Sequence, residues 1–209
     1  MRYIPILAKF NFYRPFSFEI YQKIIWSKRM NLFTLKRIKE KFRYSKVIFF
    51  NNLSDFMEKT LVILKPSAIQ RSLVGEVVSR FEKKGLQIVG MKMVSLSDAI
   101  LEEHYAHLKE KPFFKRIKDS MQVTPIIVMA LEGLEAVDVV RMMTGPTNGR
   151  KAQPGTIRGD FSVSVQENIV HASDSPESAA VELKRFFTEE EIFSYPRPTF
   201  ANLYANDEL

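Results

Sequence analysis

Residues 125–131 constrain the fold most, because all seven side chains in this segment are apolar. A strand that is apolar on both faces belongs at the centre of a sheet. Residues 60–64 form a shorter apolar run, and residues 86–96 alternate between apolar and other side chains. Residues 167–171 end at a fourth candidate strand. These segments predict a sheet of four strands, with residues 125–131 in its interior.

Segments with helical periodicity lie between the predicted strands. Val74, Val77, Val78 and Phe81 recur at helical spacing, and Gly85 follows as a typical C-terminal cap. Further helices are predicted over residues 98–107, capped by Ser97 or Asp98, and over residues 112–121, 135–143 and 176–187. The order β-α-β-α-α-β-α-β-α predicts an α+β sandwich of the ferredoxin-like type. Its four-stranded, mainly antiparallel sheet has helices packed on it.

The composition changes abruptly near Met57. Residues 1–56 contain 12 Lys and Arg against three acidic residues, a net charge of +9, whereas residues 57–209 carry −2. All eight glycines follow residue 74, and nine of the 17 phenylalanines precede residue 57. The chain is therefore divided into a basic, Phe- and Lys-rich N-terminal extension (1–56) and one domain (57–209). The plain hypothesis is that native translation starts at Met57, so that the extension is not part of the native protein.

Other interpretations of the extension stay open. Residues 20–42 place apolar side chains among Lys and Arg, as in a basic amphipathic helix that contacts anionic lipid. A poorly ordered basic tail is the simpler alternative. A contact with nucleic acid would rest on this segment alone, because the rest of the chain is not basic. No apolar run approaches the roughly 18 residues that span a bilayer, and we expect the protein to act in the cytoplasm.

Several common kinds of site are excluded by the sequence. The chain lacks cysteine, the P-loop pattern G-x-x-x-x-G-K-[ST], the dinucleotide pattern G-x-G-x-x-G and the zinc pattern H-E-x-x-H. His104 and His107 lie three residues apart on a predicted helix and could hold a metal. With no third ligand evident, a solvated helix face is the preferred interpretation of this pair.

Two segments contain residues suited to chemistry. In residues 168–175, His171 is followed by Ser173 and a helix start. This histidine could be a nucleophile or general base, or it could simply be satisfied by the turn around it. The second segment is a long loop, residues 144–159, whose cations and hydroxyls suit a polyphosphate or form a solvated basic surface. The polar residues in and beside this loop are Arg141, Thr147, Asn148, Arg150, Lys151 and Arg158.

In combination, these segments resemble a known family. Residues 168–175 match N-x-x-H-x-S-D-S, the active-site signature of the nucleoside diphosphate kinases, and the resemblance continues through residues 57–209. Other matching stretches are Lys65-Pro66, residues 71–76, residues 80–85, His104-Tyr105, residues 112–114, residues 145–148 and residues 154–161. Ser67, Gln166 and Ala172 depart from the usual pattern. Ala172 replaces a common glycine, which would restrict the backbone if that position needed a positive φ.

The resemblance implies an enzyme that passes the γ-phosphate of a nucleoside triphosphate to a nucleoside diphosphate. It implies a ping-pong reaction through a phosphohistidine, broad base specificity, Mg²⁺ carried by the nucleotide phosphates, and a homo-oligomer, either a hexamer or a tetramer. The catalytic residues would be His171, Glu182, Ser173 and Tyr105. The nucleotide-binding residues would be Lys65, Phe113, Arg141, Thr147, Arg158 and Asn168. A catalytically silent nucleotide-binding scaffold of the same family is the alternative.

Overall fold

The computed structural model describes residues 57–197, 202–205 and 208. The predicted basic extension, with its candidate amphipathic helix, lies outside the described residues. Within the described part, no helix is both long enough and apolar enough to cross a bilayer.

The described residues contain a sheet of four strands: β1 (Glu58–Leu64), β2 (Gln87–Val94), β3 (Ile126–Gly133) and β4 (Val170–Ala172). The strand order is β2-β3-β1-β4, and each neighbouring pair is antiparallel. The strand predicted to be central, β3, lies between β2 and β1, and seven of its eight residues are buried. The α+β, ferredoxin-like class predicted from the order of elements is therefore confirmed.

Seven α-helices connect the strands in the described part of the chain. They are α1 (Pro66–Gln70), α2 (Val74–Lys84), α3 (Asp98–His104), α4 (Phe114–Met121), α5 (Ala136–Thr144), α6 (Ile157–Phe161) and α7 (Pro176–Phe186). Short 3₁₀ helices cover Ala106–Leu108, Gly149–Lys151 and Glu189–Glu191.

The helix ends differ from the predicted ones at three places. The helix predicted over residues 98–107 ends at His104, and a 3₁₀ turn follows. The helix predicted from residue 112 begins at Phe114. The loop predicted over residues 144–159 contains a 3₁₀ turn and ends where α6 begins at Ile157. Hydrophobic periodicity marks a helix interior well but its ends poorly, because capping contacts decide where it stops.

Capping side chains explain several of the observed ends. Gly85 has a φ of 110°, a left-handed conformation that glycine adopts at no steric cost, and its N–H bonds carbonyls of the last turn of α2. Ser97 caps α3 by accepting from the Ile100 N–H, and Ser175 caps α7 by accepting from the Ser178 N–H. The caps predicted at Gly85 and Ser97 are thus present in the structure, and Ser175 caps the helix predicted to begin at residue 176.

Helices cover both faces of the sheet. On one face, side chains of α1, α2, α5 and α6 pack against alternate residues of β1 and β3. On the other face, α3, α4 and α7 pack against the remaining residues, including Leu61 and Ile63 of β1. Because successive side chains of a strand point to opposite faces, β1 contributes to both cores. The sheet is therefore buried on both sides.

Phe81 on α2 is fully buried in the first of these cores. We expect Phe81→Ala to lower the free energy of unfolding by about 3–5 kcal/mol, because it leaves a cavity that the sheet cannot collapse to fill. Chemical denaturation measures this change. Met142→Ala, on an α5 side chain that is 64% exposed, is the matched control and should change stability by less than about 0.5 kcal/mol. Equal effects of the two substitutions would contradict the assigned core.

Candidate active site

His171 lies at the middle of β4, directly opposite Ile63 of β1. Its neighbours Val170 and Ala172 are buried in the core on the α2 side of the sheet. His171 therefore points to the other face, where α3 and α7 lie. Its side chain is 23% exposed, so that a ligand in solution can reach it.

Glu182 on α7 holds the imidazole of His171. The distance from His171 Nε2 to Glu182 Oε1 is 3.0 Å, and Ser173 Oγ donates to the second carboxylate oxygen, Oε2, at 2.5 Å. Burial by itself would raise the pKa of Glu182, but the bonds from His171 and Ser173 outweigh burial and lower it to about 2. Glu182 is consequently an anion at neutral pH. The structure brings together three of the four predicted catalytic residues, His171, Glu182 and Ser173.

His104 is the clearest correction to the sequence analysis. The solvated helix face that was preferred for His104 and His107 is right for His107, which is exposed, but wrong for His104, which is 8% exposed. The His104 ring meets the His171 ring edge-on, with centroids 4.7 Å apart, and Arg185 Nη1 lies 3.3 Å from His104 Nδ1. Burial, with repulsion from His171, lowers the pKa of His104 to about 3, so this imidazole is neutral.

Lys65 and Asn168 form one hydrogen-bonded unit next to the histidine strand. Lys65 Nζ donates to Asn168 Oδ1 at 2.6 Å, and Asn168 Nδ2 donates to the backbone carbonyls of Thr147 and Val165. Burial and the charge of Arg158 lower the pKa of Lys65 to about 8, which leaves it mainly charged at neutral pH. Both hydrogens of the Asn168 amide are used within the protein, and Oδ1 keeps one lone pair for a ligand.

Arg158 is buried and does not belong to a solvated basic loop, the alternative that the sequence had left open for it. It is 4% exposed, and its guanidinium donates to the carbonyls of Gly145 and Val170, with a distance of 2.7 Å to the latter. Burial and the neighbouring charge of Arg141 lower its pKa to about 10, so it stays protonated. Arg141, Thr147 and Arg150 of the same region are exposed, as a solvated loop predicts.

Tyr105 and Phe113 lie in the connection between α3 and α4. The Tyr105 ring stands edge-on to His104, with centroids 4.7 Å apart, and burial followed by the charge of Glu182 raises the pKa of its hydroxyl to about 12. Tyr105 therefore remains a hydroxyl donor at every physiological pH. Phe113 immediately precedes α4 and is 39% exposed, which leaves its ring free to meet a flat ligand.

The backbone beside the histidine is strained at Ile169, a residue that no sequence signal marks. Its φ is 70°, an outlier for a β-branched residue, and the Val170 N–H bonds the Asn168 carbonyl at 2.7 Å across it. Ser67, one of the departures from the family pattern, accepts from the Ile169 N–H at 3.3 Å. Ala172 is not among the described residues with a positive φ, so an alanine in place of glycine causes no backbone strain at this position.

One group of three His and acidic side chains in the described residues could hold a metal: His104, His171 and Glu182. Two imidazoles and one carboxylate suit a transition metal, whereas Mg²⁺ prefers oxygen ligands and water. The guanidinium of Arg185 next to His104 disfavours any cation there. These residues are therefore poorly suited to hold Mg²⁺.

Comparison with known proteins agrees with this geometry. The sequence matches the family profile described as Nucleoside diphosphate kinase over residues 58–192. It is 68% identical over 153 residues to a nucleoside diphosphate kinase of Parabacteroides distasonis, which covers 73% of this chain and 100% of that protein. It is 54% identical over 143 residues to one of Pyrococcus abyssi, which covers 67% of this chain and 90% of that protein.

Solved structures agree as well. A nucleoside diphosphate kinase of Halobacterium salinarum in complex with CDP superposes with a TM-score of 0.69 at 36% identity, over 71% of this chain and 99% of that chain. A nucleoside diphosphate kinase family protein of Babesia bovis gives a TM-score of 0.68 at 39% identity, over 70% of this chain and 99% of that chain. The fold and site therefore define a phosphotransferase that acts on nucleotides. The chain belongs to the nucleoside diphosphate kinase family, whose reaction is the transfer of phosphate between nucleotides.

The buried, neutral His104 makes stability depend on pH. Its pKa is about 3 in the folded protein against 6.5 for the free side chain, so between these values only the unfolded chain binds this proton. Stability is therefore lost as pH falls below about 6.5, by at most about 1.4 kcal/mol per pH unit. We expect His104→Asn to flatten the dependence of the unfolding free energy on pH between 7.5 and 5, measured by chemical denaturation.

The control for this experiment is His107→Asn, which removes an exposed histidine and should keep the wild-type slope. The range above pH 5 avoids the titration of Glu182, whose lowered pKa costs stability only below its usual value of 4.5. An unchanged slope in the His104 variant would mean that this imidazole is not held neutral.

Proposed function

We propose that the transfer runs through a phosphohistidine on Nδ1 of His171. The observation that carries this proposal is the 3.0 Å contact between His171 Nε2 and the Glu182 carboxylate. An anionic carboxylate accepts a proton-bearing nitrogen, so Nε2 carries the hydrogen and Nδ1 keeps its lone pair. A neutral imidazole oriented in this way is a competent nucleophile near neutral pH.

The reaction has two half-steps. In the first, the lone pair of His171 Nδ1 forms a bond to the γ-phosphorus, the bond to the bridging oxygen breaks, and the nucleoside diphosphate leaves with that oxygen. In the second, a terminal oxygen of another nucleoside diphosphate attacks the phosphorus, and the N–P bond breaks to restore the imidazole. Glu182 keeps the Nε2 hydrogen throughout and stabilises the positive charge that the ring acquires when Nδ1 is phosphorylated.

Three cationic side chains would bind the phosphates. In the described part of the chain, Lys65, Arg141 and Arg158 make no ion pair with a carboxylate. Arg141 lies close enough to lower the pKa of the buried Arg158, so two like charges are held together without a counter-ion. A polyphosphate relieves this repulsion, and phosphoryl transfer depends mainly on such charge neutralisation and positioning.

Other predicted residues complete the nucleotide site. Tyr105 and the Thr147 hydroxyl would donate to phosphate oxygens, and Lys65 with Asn168 Oδ1 would hold the sugar. The base would stack on Phe113, a contact that accepts any base because every base has a π-face. The CDP in the Halobacterium salinarum structure supports a pyrimidine as one of the accepted bases. Mg²⁺ would enter with the phosphates and neutralise part of their charge.

The assembly and location follow the family. We propose a homo-oligomer, hexameric or tetrameric, which acts in the cytoplasm. One supporting feature is β2, a strand at the edge of the sheet whose far half presents Met91 and Met93 at 45% and 59% exposure. Exposed apolar side chains on an open strand edge favour pairing with another chain.

His171→Ala should abolish phosphate exchange between ATP and any nucleoside diphosphate, because the imidazole forms the covalent bond. Nucleotide binding should persist, since the phosphate cations and Phe113 are unchanged. Radiolabel from [γ-³²P]ATP should remain on the wild type as an acid-labile, base-stable adduct and should be absent from the variant. The exposed histidine variant His107→Ala serves as the control and should retain full exchange.

Two results would contradict this proposal. Label that stays on the alanine variant would place the nucleophile at Ser173 or elsewhere. Nucleotide binding by the wild type without any exchange would favour the catalytically silent scaffold.

We further propose that residues 57–209 constitute the nucleoside diphosphate kinase domain and that the basic extension is dispensable for the reaction. The supporting observation is that the match of 153 residues covers the whole of the Parabacteroides distasonis enzyme. A chain that starts at Met57 should match the full chain in kcat, KM and melting temperature. Loss of activity or of cooperative melting in the shorter chain would contradict the proposal, and binding of anionic vesicles or nucleic acid by the full chain alone would assign the extension a separate role.

A further inference from the structure

Residues 162–168, here called the site loop, lie between α6 and β4. Hydrogen bonds link this loop both to Lys65 and to α4. At one end, Lys65 Nζ bonds Asn168 Oδ1 at 2.6 Å and the Gln166 carbonyl at 3.4 Å. His171 follows three residues later. One end of the loop therefore lies at Lys65 and Asn168, which are expected to contact the nucleotide, and its side chains reach α4, the helix that follows Phe113.

Two side-chain pairs join the site loop to α4. Gln166 bonds Arg116 twice: Arg116 Nε donates to Gln166 Oε1 at 2.9 Å, and Gln166 Nε2 donates to the Arg116 carbonyl at 3.2 Å. One turn further along the helix, Ser120 Oγ donates to Glu167 Oε1 at 2.6 Å. We call these four residues the loop clasp.

The loop clasp lies on a face of α4 that begins at Phe113, the N-cap residue immediately before the helix. Positions 113, 116 and 120 are three and four residues apart, so they lie in one row along the helix. Phe113 stands at the free end of this row with 39% of its surface exposed, and Val165, the residue before Gln166, is 49% exposed. An apolar side chain of the loop and an aromatic ring of the helix are thus both open to solvent beside a set of fixed hydrogen bonds.

We propose that Gln166 and Arg116 are positioning residues that set the separation between Phe113 and the site loop, and thereby the width of the slot that receives the nucleobase. This inference rests on the proposed function, in which the base stacks on Phe113. The clasp acts on the binding of the base and not on the chemical step, because no clasp side chain contacts His171 or Glu182 in the described structure.

A second set of contacts shows that the loop can keep its shape without the clasp. The Ser164 hydroxyl accepts from the Gln166 and Glu167 N–H groups, and Ser162 Oγ donates to the Glu167 carbonyl. Arg150 Nη1 donates to the Val163 carbonyl at 2.8 Å. Removing the Gln166 side chain therefore breaks both of its bonds to Arg116 and leaves the bond between Ser120 and Glu167, while the loop remains folded on the phosphate end of the site.

The test compares kcat and KM of the wild type with those of Gln166→Ala, Arg116→Ala and the double variant, with ADP and CDP as acceptors. Gln166→Ala should raise KM for both acceptors by about 3–10-fold at unchanged kcat, since two exposed hydrogen bonds are lost. Arg116→Ala should raise KM less, because the bond to the Arg116 backbone carbonyl remains. The double variant should equal Gln166→Ala, since the second substitution finds no partner left to remove.

A base-free phosphoryl donor separates this inference from the proposed function. Phosphoramidate can phosphorylate a histidine and lacks a base, so all variants should form the phosphoenzyme from it at the wild-type rate. Lys115→Ala is the matched control on α4, because Lys115 is paired only with Asp119 on its own helix, and its KM should not change. Gln166→Glu, which can still accept from Arg116 Nε, should restore part of the affinity.

The proposal is overturned if KM is unchanged in Gln166→Ala, if kcat falls at constant KM, or if the two single substitutions are additive. It is also overturned if phosphoenzyme formation from phosphoramidate slows in parallel with the nucleotide reaction, because the clasp would then support the chemistry itself. Failure of the wild type to form any phosphoenzyme would refute the proposed function instead.

Discussion

The carboxylate of Glu182 is the group on which the arrangement of the site depends. Its two oxygens bind two residues of different kinds, the imidazole of His171 and the hydroxyl of Ser173, and they do so from a helix packed across the histidine strand. A buried anion is unfavourable unless hydrogen bonds satisfy it, and here both oxygens are satisfied. One side chain of α7 thus contacts both the imidazole of His171 and the hydroxyl of Ser173.

The imidazole of His171 lies between charges of opposite sign, the carboxylate of Glu182 and the cations Lys65, Arg141 and Arg158. The negative charge of Glu182 lies behind the ring, and uncompensated cations occupy the segments that flank the histidine strand. His104 fits this separation, because a charged imidazole against His171 would add repulsion and its burial keeps it neutral. In the proposed mechanism, a phosphate that approaches His171 meets positive charge, while the negative charge of Glu182 supports the ring.

The sequence was informative where local chemistry determines structure. The seven apolar residues 125–131 placed their strand at the centre of the sheet, and Ser97 and Gly85 marked helix ends through capping chemistry. The signature around His171 identified the family, and the eleven-residue spacing from His171 to Glu182 allowed their contact. Each of these features depends on side chains that lie near one another in sequence or on a pattern with a known geometry.

What the sequence did not reveal depends on long-range packing. His104 looked like part of a solvated pair, because nothing near it in sequence shows that α7 and β4 bury one of the two histidines. The left-handed Ile169 contradicts its own residue preference and is held by bonds from the surrounding structure. The bond between Gln166 and Arg116 joins positions 50 residues apart, and such a contact has no periodicity. The sequence left open whether Arg158 belongs to an exposed loop, because the carbonyls that hold it are backbone atoms, which no sequence pattern marks.

The short length of β4 has a consequence for how this protein is expected to lose activity. A three-residue strand at the margin of a sheet, paired on one side with β1, is among the parts of a domain that open most readily. His171, the proposed nucleophile, occupies its middle position, so we expect detachment of this strand to stop turnover while the three longer strands stay paired. We therefore expect heat inactivation to begin with the local opening of these residues, before global melting. In the proposed site, a nucleotide that binds Lys65 and Arg158 should stabilise the strand against this opening.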